Sequence, residues 1–397
     1  MINKKQNKKS VVKINSSDLK PLKKHELKLP KIAVIGIGGS GKNATNYMIK
    51  KDVKNIKFIA LNTDLQDLNQ SKASKKIHIG SKLTKGAGTG MDPEIGRKAA
   101  LESKEEIIAA LKDVQMVFLT GGFGGGTGTG ATPVVASIAK DLGILTIAIV
   151  TKPFSFEGSN RKNLAEKGLE SLESNVDSYI VLENDKILET SGADASIDEA
   201  FALSDEVLKQ AVEGISELIT KPGRINIDYA DVKSVLKESG MSLIGIGSAS
   251  GKDRAKKAAE AAINSPLINI STKGARSILF SITAADDLKM SEISTIAETI
   301  TKESHENAMI KFGTTRNLKL KKGSILITVV ASNFDGFNFG NDEAETFGFK
   351  FNREDVEKKS VEVVKEKVQE FSGEEIIKKE NKKEKGLIAS FLDMFKL

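Results

Sequence analysis

Short apolar runs alternate with amphipathic segments over residues 31–195. The runs predict strands, and the amphipathic segments predict helices. The predicted strands are 32–35, 56–61, 76–79, 114–119 and 144–150, and the predicted helices are 42–51, 94–112 and 129–141. Because the strands are apolar rather than alternating, both of their faces should be covered by helices. The expected fold class is therefore α/β, with a doubly wound, mainly parallel sheet.

A longer amphipathic segment follows at 196–220. Ser196 is a suitable N-cap, Glu199 stands three residues later, and Pro222-Gly223 supplies a stop. Apolar positions cover more than half of the helix circumference. We therefore expect a long central helix that lies buried between two parts of the molecule.

Beyond this helix the alternation of strands and helices continues on a smaller scale. Strands are predicted at 241–247, 277–283, 306–312 and 324–331, and helices at 252–263 and 291–303. These elements predict a second, smaller α/β domain over 221–333, which follows a first domain over 31–195 and the central helix.

The first residues of the chain carry its charge imbalance. Residues 1–30 hold nine lysines against Asp18 and Glu26, which accounts for the whole formal net charge of +7. We expect this Lys-rich extension to be disordered and solvated, and contact with RNA or an anionic membrane is the alternative. The rest of the chain has equal numbers of basic and acidic side chains. No nucleic acid is therefore expected for the core.

The last residues of the chain also depart from the globular pattern. Residues 334–386 are dense in Glu and Lys with few large apolar side chains, which predicts a charged flexible linker. The segment 387–397 then brings four apolar side chains onto one helical face. These are Ile388, Phe391, Leu392 and Phe395. An amphipathic peptide on a polar tether is typical of a docking device, so a protein partner or a membrane should bind it.

Composition excludes several classes of site. The chain has no cysteine and three histidines, so disulfides and thiolate metal sites are excluded and a His-based zinc site is not expected. No apolar run approaches the roughly 20 residues needed to span a bilayer. The basic start lacks the apolar segment of a signal peptide. We expect a cytoplasmic protein.

The first glycine loop, at 36–43, follows the first predicted strand. It contains G-x-G-x-x-G, and Asp64 lies about 20 residues further on, as in a dinucleotide-binding fold. It also nearly matches the P-loop G-x-x-x-x-G-K, but Asn43 replaces the Ser or Thr that would bind magnesium. Both interpretations predict phosphate binding by backbone N–H groups at a helix N-terminus. A tight structural turn is the alternative.

The second glycine loop, at 121–130, has seven glycines in ten positions. Ordering so many glycines costs backbone entropy. The cost is explained if the backbone has to approach a polyanion closely. Thr127 and Thr129 would add hydroxyl donors. Two such loops in one sheet predict a nucleotide whose phosphates are held from both sides.

The run Gly-Gly-Gly-Thr-Gly-Thr-Gly at 124–130 resembles the signature of the tubulin/FtsZ superfamily. Other stretches are similar to the FtsZ family in particular, in family order over roughly 31–332. They lie at 62–64, 84–86, 151–154, 156–158, 184–186 and 226–232. The resemblance implies that 31–195 is a GTP-binding domain and that 221–333 carries a polymerisation and catalytic loop.

The resemblance also implies a GTP pocket at the carboxyl ends of the strands. The residues implied for GTP binding are Gly39, Ser40, Gly41, Lys42, Asn43, Gly126, Thr127, Gly128, Thr151, Glu157, Arg161, Asn184 and Asp205. Residues 126–128 would hold the phosphates, Glu157 and Arg161 would contact the ribose, and Asn184 and Asp205 the guanine. A carboxylate can accept from guanine N1–H and N2–H, a donor pair that adenine lacks. Ser40 and Lys42 stand where the family commonly has glycine, and Lys42 could add a phosphate contact.

For hydrolysis, the resemblance implies Asp228 and Asp231, with Asn226 nearby, acting on the γ-phosphate of the next subunit. The plain alternative for the two acids is an N-terminal helix cap, and both roles can hold at once. GTP would be hydrolysed to GDP when copies stack head to tail, with Mg²⁺ inferred from the nucleotide and its protein ligands unidentified.

The cellular role implied is the filament of the bacterial cytokinetic ring, at the division site on the inner membrane face. Segment 387–397 would bind a membrane adaptor or other division proteins, although it lacks the family's Asp-x-Pro core. Direct membrane contact of the termini is an alternative. Two other functions remain open: a tubulin-like filament with another task, and a Rossmann-type NAD-dependent enzyme that uses the first glycine loop alone.

Overall fold

The computed structural model describes residues 29–191, 196–221, 223–264, 274–302, 304–317 and 320–334. Within these residues the strands are β1 (Ile32–Ile37), β2 (Ile56–Asn62), β3 (Lys75–His78), β4 (Met116–Gly122), β5 (Leu145–Lys152), β6 (Ser178–Glu183), β7 (Gly240–Ser250), β8 (Ala275–Ala284), β9 (Met309–Arg316) and β10 (Ser324–Phe334). The helices are α1 (Gly38–Lys50), α2 (Leu65–Asn69), α3 (Ser81–Thr84), α4 (Pro93–Glu102), α5 (Lys104–Leu111), α6 (Gly126–Asp141), α7 (Ser159–Glu173), α8 (Asn184–Ser191), α9 (Ile197–Thr220), α10 (Tyr229–Leu236), α11 (Arg254–Ile263) and α12 (Met290–Thr301). The predicted Lys-rich extension, linker and docking peptide lie outside the described residues, apart from residues 29, 30 and 334.

The strands form one ten-stranded sheet in the order β3-β2-β1-β4-β5-β6-β7-β10-β8-β9. From β3 to β7 every neighbouring pair is parallel. β10 then runs antiparallel to both β7 and β8, and β9 is parallel to β8. The expected α/β fold with a mainly parallel sheet is confirmed. The order of the strands reverses between β1 and β4, which is where doubly wound sheets bind ligands.

Helices cover both faces of the parallel part of the sheet. One apolar cluster holds residues of α1, α9 and α10, and the cluster on the opposite face holds residues of α4, α5, α6 and α7. Because both faces are covered, β1 is buried along its whole length, as its uniformly apolar sequence predicts. A third cluster packs α11 and α12 against β8 and β10.

The central helix α9 forms with the N-terminus that its sequence predicts. Ser196 Oγ accepts a hydrogen bond from the backbone N–H of Glu199, and the Glu199 carboxylate accepts one from the backbone N–H of Ser196. The apolar side of α9 packs in the same cluster as Leu279 of β8 and Val330 of β10. The helix therefore lies between the first six strands and the last four, as expected.

The structure differs from the sequence prediction in several elements. The predicted helix 94–112 is two helices, because the Ser103 backbone (φ −98°, ψ 18°) leaves the helical region and its Oγ accepts from Gly80 N at 3.1 Å. Strand β6 and helix α7 were not predicted. Both α1 and α6 begin inside the glycine loops, four and three residues earlier than the predicted 42 and 129. Among the described residues, no helix has the length and apolar character needed to cross a membrane.

Candidate functional site

A cavity of about 450 Å³ opens at the carboxyl ends of β1 and β4, where the order of the strands reverses. These two strands are neighbours, with Ile37 opposite Gly121 at their carboxyl ends. Each is followed by one of the glycine loops. The cavity thus lies between the two loops, at the ligand-binding edge expected for this class of sheet.

The first glycine loop passes from strand to helix without an intervening segment. Gly38 follows β1 directly and adopts φ +72°, a left-handed conformation that L side chains rarely take. A Cβ on Gly38 would lie 3.3 Å from Gly128 N of the second loop. The two loops therefore touch, and a side chain at this position would push them apart.

The second glycine loop forms the first turn of α6. Gly126, Thr127 and Gly128 are the first three residues of this helix, and all line the cavity. Within the described residues, no side chain caps the N-terminus of α1 or α6, and neither has an acid in its first turn. Two helix N-termini with free N–H groups thus face one cavity, an arrangement suited to a polyphosphate.

The two threonines of this loop have different roles. Thr127 lines the cavity, and its hydroxyl is 2.7 Å from the hydroxyl of Thr63. Thr129 is buried, and its Oγ1 accepts a hydrogen bond from Gly124 N at 2.8 Å. The expectation that Thr129 offers a hydroxyl donor to the ligand is therefore wrong. Since α6 begins at Gly126, Thr129 sits on its second turn and stabilises the loop from inside.

Polar side chains occupy the other end of the cavity. Glu157 and Arg161, four residues apart, form an ion pair there, and Glu157 also accepts from Phe154 N at 3.0 Å. Asn184 begins α8, and its Oδ1 accepts from Ser204 Oγ of α9 at 3.1 Å. These contacts hold carboxylate, guanidinium and amide groups in fixed positions around the cavity.

Among the acids that line this cavity, Asp205 of α9 has the most strongly shifted pKa. Burial raises the pKa of its carboxyl from 3.8 to about 7. Within the described part of the chain, no cation or hydrogen-bond donor offsets this effect. A ligand that brings N–H donors would supply the missing hydrogen bonds, and the N1–H and N2–H edge of guanine has that chemistry.

The structure brings together most of the residues proposed for GTP binding. Those that line the cavity are Gly39, Ser40, Asn43, Gly126, Thr127, Gly128, Thr151, Glu157, Arg161, Asn184 and Asp205. Gly41 and Lys42 do not line it. A Cβ on Gly41 would lie 2.4 Å from Thr120 O, so this glycine permits α1 to pack on β4. The Lys42 ammonium is 2.5 Å from Asp67 Oδ1, and the lysine is buried whereas the carboxylate is half-buried.

Sequence reasoning did not select several residues that line the cavity. Thr89 and Met91 come from the loop before α4, and Phe201 and Ser204 come from α9. The signal for the first two was a third glycine-rich stretch at 86–90, whose glycines all have positive φ. The Phe201 ring is held edge-on against Phe154, with ring centroids 5.3 Å apart, and it offers an aromatic surface to a base.

The proposed hydrolytic residues lie at the opposite end of the strands, near the amino end of β4. Tyr229, between Asp228 and Asp231, donates through its hydroxyl to Gln115 O at 2.8 Å. Gln115 precedes the amino end of β4, whereas the carboxyl end of this strand lines the cavity. Asn226, Asp228 and Asp231 are therefore not brought together with the cavity in one copy of the chain.

The two acids form the expected helix cap. Asp228 accepts from Asp231 N at 2.8 Å, and Asp231 accepts in return from Asp228 N at 3.3 Å, which starts α10. Lys311 Nζ is 2.7 Å from Asp231 Oδ1. This hydrogen bond from Lys311 holds the pKa of Asp231 below its usual value. Asp231 is therefore ionised at neutral pH.

Among the described residues, no group of three or more His, Asp or Glu side chains is arranged to hold a metal ion. A cation in the cavity would have to take most of its ligands from a bound polyphosphate and from water, which is how Mg²⁺ commonly binds with nucleotides.

Comparison with known proteins identifies the fold and its family. The Tubulin/FtsZ family GTPase domain matches residues 31–192, and the FtsZ family C-terminal domain matches residues 240–335. An empty FtsZ dimer from M. jannaschii is 43% identical with a TM-score of 0.72, over 76% of this chain and 88% of that one. A point mutant of FtsZ from the same organism gives the same identity and TM-score, over 77% and 91%.

A more distant structure shares the fold alone. CetZ2 from Haloferax volcanii, solved as a GTPγS-bound protofilament, is 20% identical with a TM-score of 0.66, over 76% of this chain and 92% of that one. Two family domains cover most of the described residues, and the FtsZ structures match over nearly their whole length. The chain belongs to the FtsZ family of tubulin-like GTPases.

Proposed function

We propose that this protein binds GTP in the cavity between the glycine loops and hydrolyses it when copies stack head to tail into filaments. The observation that carries the proposal is the separation of Asp228 and Asp231 from the cavity. The acids lie toward the amino ends of the central strands, and the cavity lies at their carboxyl ends. Each copy then has a nucleotide site at one end and acids at the other, so a stack of copies completes one active site per contact.

The length of α9 supports hydrolysis between subunits. Asp205 lines the cavity, and Thr220 ends the helix 15 residues later, which corresponds to about 22 Å at 1.5 Å per residue. Asp228 and Asp231 come after the end of this helix in the chain. A carboxylate cannot cross this distance within one copy, so the γ-phosphate would meet Asp228 and Asp231 of the neighbouring subunit, with Asn226 beside them.

The described residues suggest how each part of GTP is bound. Backbone N–H groups at the starts of α1 and α6 would hold the phosphates, with Thr127 adding a hydroxyl. Glu157 and Arg161 would contact the ribose side, and Asn184 and Asp205 the guanine edge. A bound Mg²⁺ would neutralise phosphate charge. The carboxylates of the neighbour would orient and polarise the attacking water.

The solved relatives support self-association. One FtsZ from M. jannaschii is a dimer, and CetZ2 from Haloferax volcanii forms a protofilament with a GTP analogue. Family membership favours the cytokinetic ring as the task of the filament, at the division site on the cytoplasmic face of the membrane. The CetZ likeness makes another filament task the second candidate. Segment 387–397 would dock the filament to a membrane adaptor or another division protein.

Pelleting with GTP and with GDP, while phosphate release is measured over a range of protein concentrations, tests this proposal. We expect a GTP-dependent pellet and a hydrolysis rate per molecule that rises with protein concentration, because active sites form only at contacts between copies. A rate per molecule independent of concentration would contradict it. Purified protein that carried NAD(H) in place of a guanine nucleotide would favour the Rossmann-type alternative.

A further inference from the structure

Lys42 is a buried charge that the proposed GTP site does not use. It lies on α1, near the end of the first glycine loop, and is 6% exposed. Its Nζ is 2.5 Å from Oδ1 of Asp67, which belongs to α2. The sequence motif G-x-x-x-x-G-K would send this lysine to a phosphate. Here the ammonium is held by a carboxylate beside the loop.

Asp67 also connects to the end of β2. Its Oδ2 accepts from Asn62 Nδ2 at 2.7 Å, and Asn62 is 3% exposed. The backbone N–H of Asp67 donates to Asp64 Oδ1 at 3.0 Å. The segment 62–67 is thereby fixed to α1 through one ion pair and held by its own internal hydrogen bonds.

The same segment reaches the second glycine loop. Thr63 follows Asn62 directly, and its hydroxyl is 2.7 Å from the hydroxyl of Thr127. A continuous path therefore runs from Lys42 through Asp67, Asn62 and Thr63 to Thr127. It joins α1, which begins in the first glycine loop, to the first turn of α6, which begins in the second. The path runs alongside the cavity between the two loops.

The charge of Asp67 matters because of its position. Its Oδ2 is 3.6 Å from where a Cβ on Gly39 would be, and Gly39 lines the cavity. An unpaired carboxylate here would repel a polyphosphate held by the first loop. The Lys42 ammonium neutralises that charge at a distance of one hydrogen bond.

The geometry points to Lys42 as a positioning residue for the nucleotide: its ion pair with Asp67 fixes the spacing of the two glycine loops and cancels the Asp67 charge beside the phosphates. This inference rests on the proposed GTP site. Lys42 does not contact the nucleotide itself. The alternative is a lysine that Asp67 merely stores and that leaves the carboxylate to bind a phosphate directly.

Three variants separate these roles: Lys42→Met, Asp67→Ala and the double variant. Affinity for a fluorescent GTP analogue is measured at protein concentrations too low for pelleting. For a positioning pair, Lys42→Met should raise the Kd roughly tenfold, because it breaks the contact and leaves the Asp67 charge unpaired beside the phosphates. Asp67→Ala should raise the Kd by a smaller factor, because it breaks the contact alone, and the double variant should bind about as weakly as Asp67→Ala. Asp67→Ala is the deciding variant, because its side chain is 27% exposed and tolerates truncation.

Glu292→Gln is the matched control. Glu292 pairs with the buried Arg254 at 2.7 Å, with side-chain exposures of 17% and 6%, in the part of the molecule formed by α11 and α12. It should lower the thermal midpoint without changing the Kd. Lower midpoints with unchanged affinity for the Lys42 and Asp67 variants would reduce their pair to a structural contact and overturn the inference.

Two further outcomes would also overturn the positioning role of Lys42. An Asp67→Ala variant that binds the analogue as well as or better than the wild type would mean that Lys42 is a direct phosphate ligand. Losses that multiply in the double variant would mean that the two residues act independently. Either result would overturn the inference while the wild type still binds GTP. Failure of the wild-type protein to bind the analogue would instead sink the proposed function.

Discussion

Asp205 shows how one residue can link burial, protonation and recognition. Its folded-state pKa of about 7 lies well above the value near 3.9 of an unfolded aspartate. The empty protein therefore favours the protonated form, and its stability falls as pH rises from about 4 to about 7. A carboxylate kept in this state is poised to gain from a ligand with two N–H donors. The same residue thus lowers the stability of the protein without nucleotide at neutral pH and favours the nucleotide-bound form.

The pH dependence of nucleotide affinity tests this role of Asp205. Guanine should bind the ionised carboxylate, so below about pH 7 a proton must first leave. The Kd for a GTP analogue should then rise as pH falls, by up to about tenfold per pH unit. Titration from pH 8 to pH 5.5 by equilibrium binding measures it. Asp205→Asn is the control, because it retains only the pH dependence of the phosphates. Equal slopes for both proteins would show that Asp205 does not accept from the base.

At the scale of elements, helix starts determine which side chains reach the ligand. Glycine is a poor helix former, so the sequence suggests that α6 begins after its glycine run, at 129. The structure starts it at Gly126, because bare backbone at the first turn must approach Thr89 and the cavity. That shift of three residues turns Thr129 inward. An equivalent shift from 42 to Gly38 carries Lys42 onto the second turn of α1.

Asp231 has a role in its helix and a proposed role in hydrolysis, and Asp231→Gln separates them. Glutamine at this third helical position can still accept from the N-cap backbone, so α10 should keep its start and the protein its denaturation midpoint. The lost charge should slow GTP turnover at least about a hundredfold. Nucleotide affinity should not change, because the residue lies far from the cavity of its own subunit. Turnover near the wild-type rate would leave Asp231 with the cap alone.

Much of the element plan could be predicted because each prediction rests on a local pattern. Apolar runs predicted β1 and its neighbours, and a cap with a stop predicted α9. Strand β6 and helix α7 were missed because short mixed stretches carry a weak periodic signal. Side-chain directions could not be predicted either. Whether Lys42 meets a phosphate or Asp67 depends on α2, which comes from a separate part of the chain.

At the scale of the whole molecule, the sheet has two chemically different ends. The cavity opens at the carboxyl ends of β1 and β4, and exposed aromatic side chains stand near it, Phe156 and Phe201. At the other end, the exposed side chains of Met309 and Ile310 lie on the strand that also supplies Lys311 to Asp231. Different surfaces at opposite ends favour a head-to-tail contact, which repeats without closing into a two-fold dimer.

Mixing two inactive variants tests whether the active site is shared between copies. Asp205→Ala removes a guanine contact and leaves the acids, whereas Asp231→Gln leaves the cavity and disables the acids. Each variant alone should hydrolyse GTP very slowly. In an equimolar mixture, half of the subunits hold GTP and half of their neighbours supply intact acids. The mixture should therefore approach about a quarter of the wild-type rate if contacts form at random head to tail.

The two possible architectures differ in kind for this mixture. If the acids served the nucleotide of their own chain, no copy in the mixture would hold both working halves, and its rate would equal the average of the two inactive proteins. Recovery of phosphate release above that average requires GTP on one variant and Asp231 on the other. Added Asp205→Ala,Asp231→Gln double variant is the control, since it dilutes the mixture without contributing either half. Dilution below the concentration at which filaments pellet should abolish the recovery, because the shared site exists only while two copies touch.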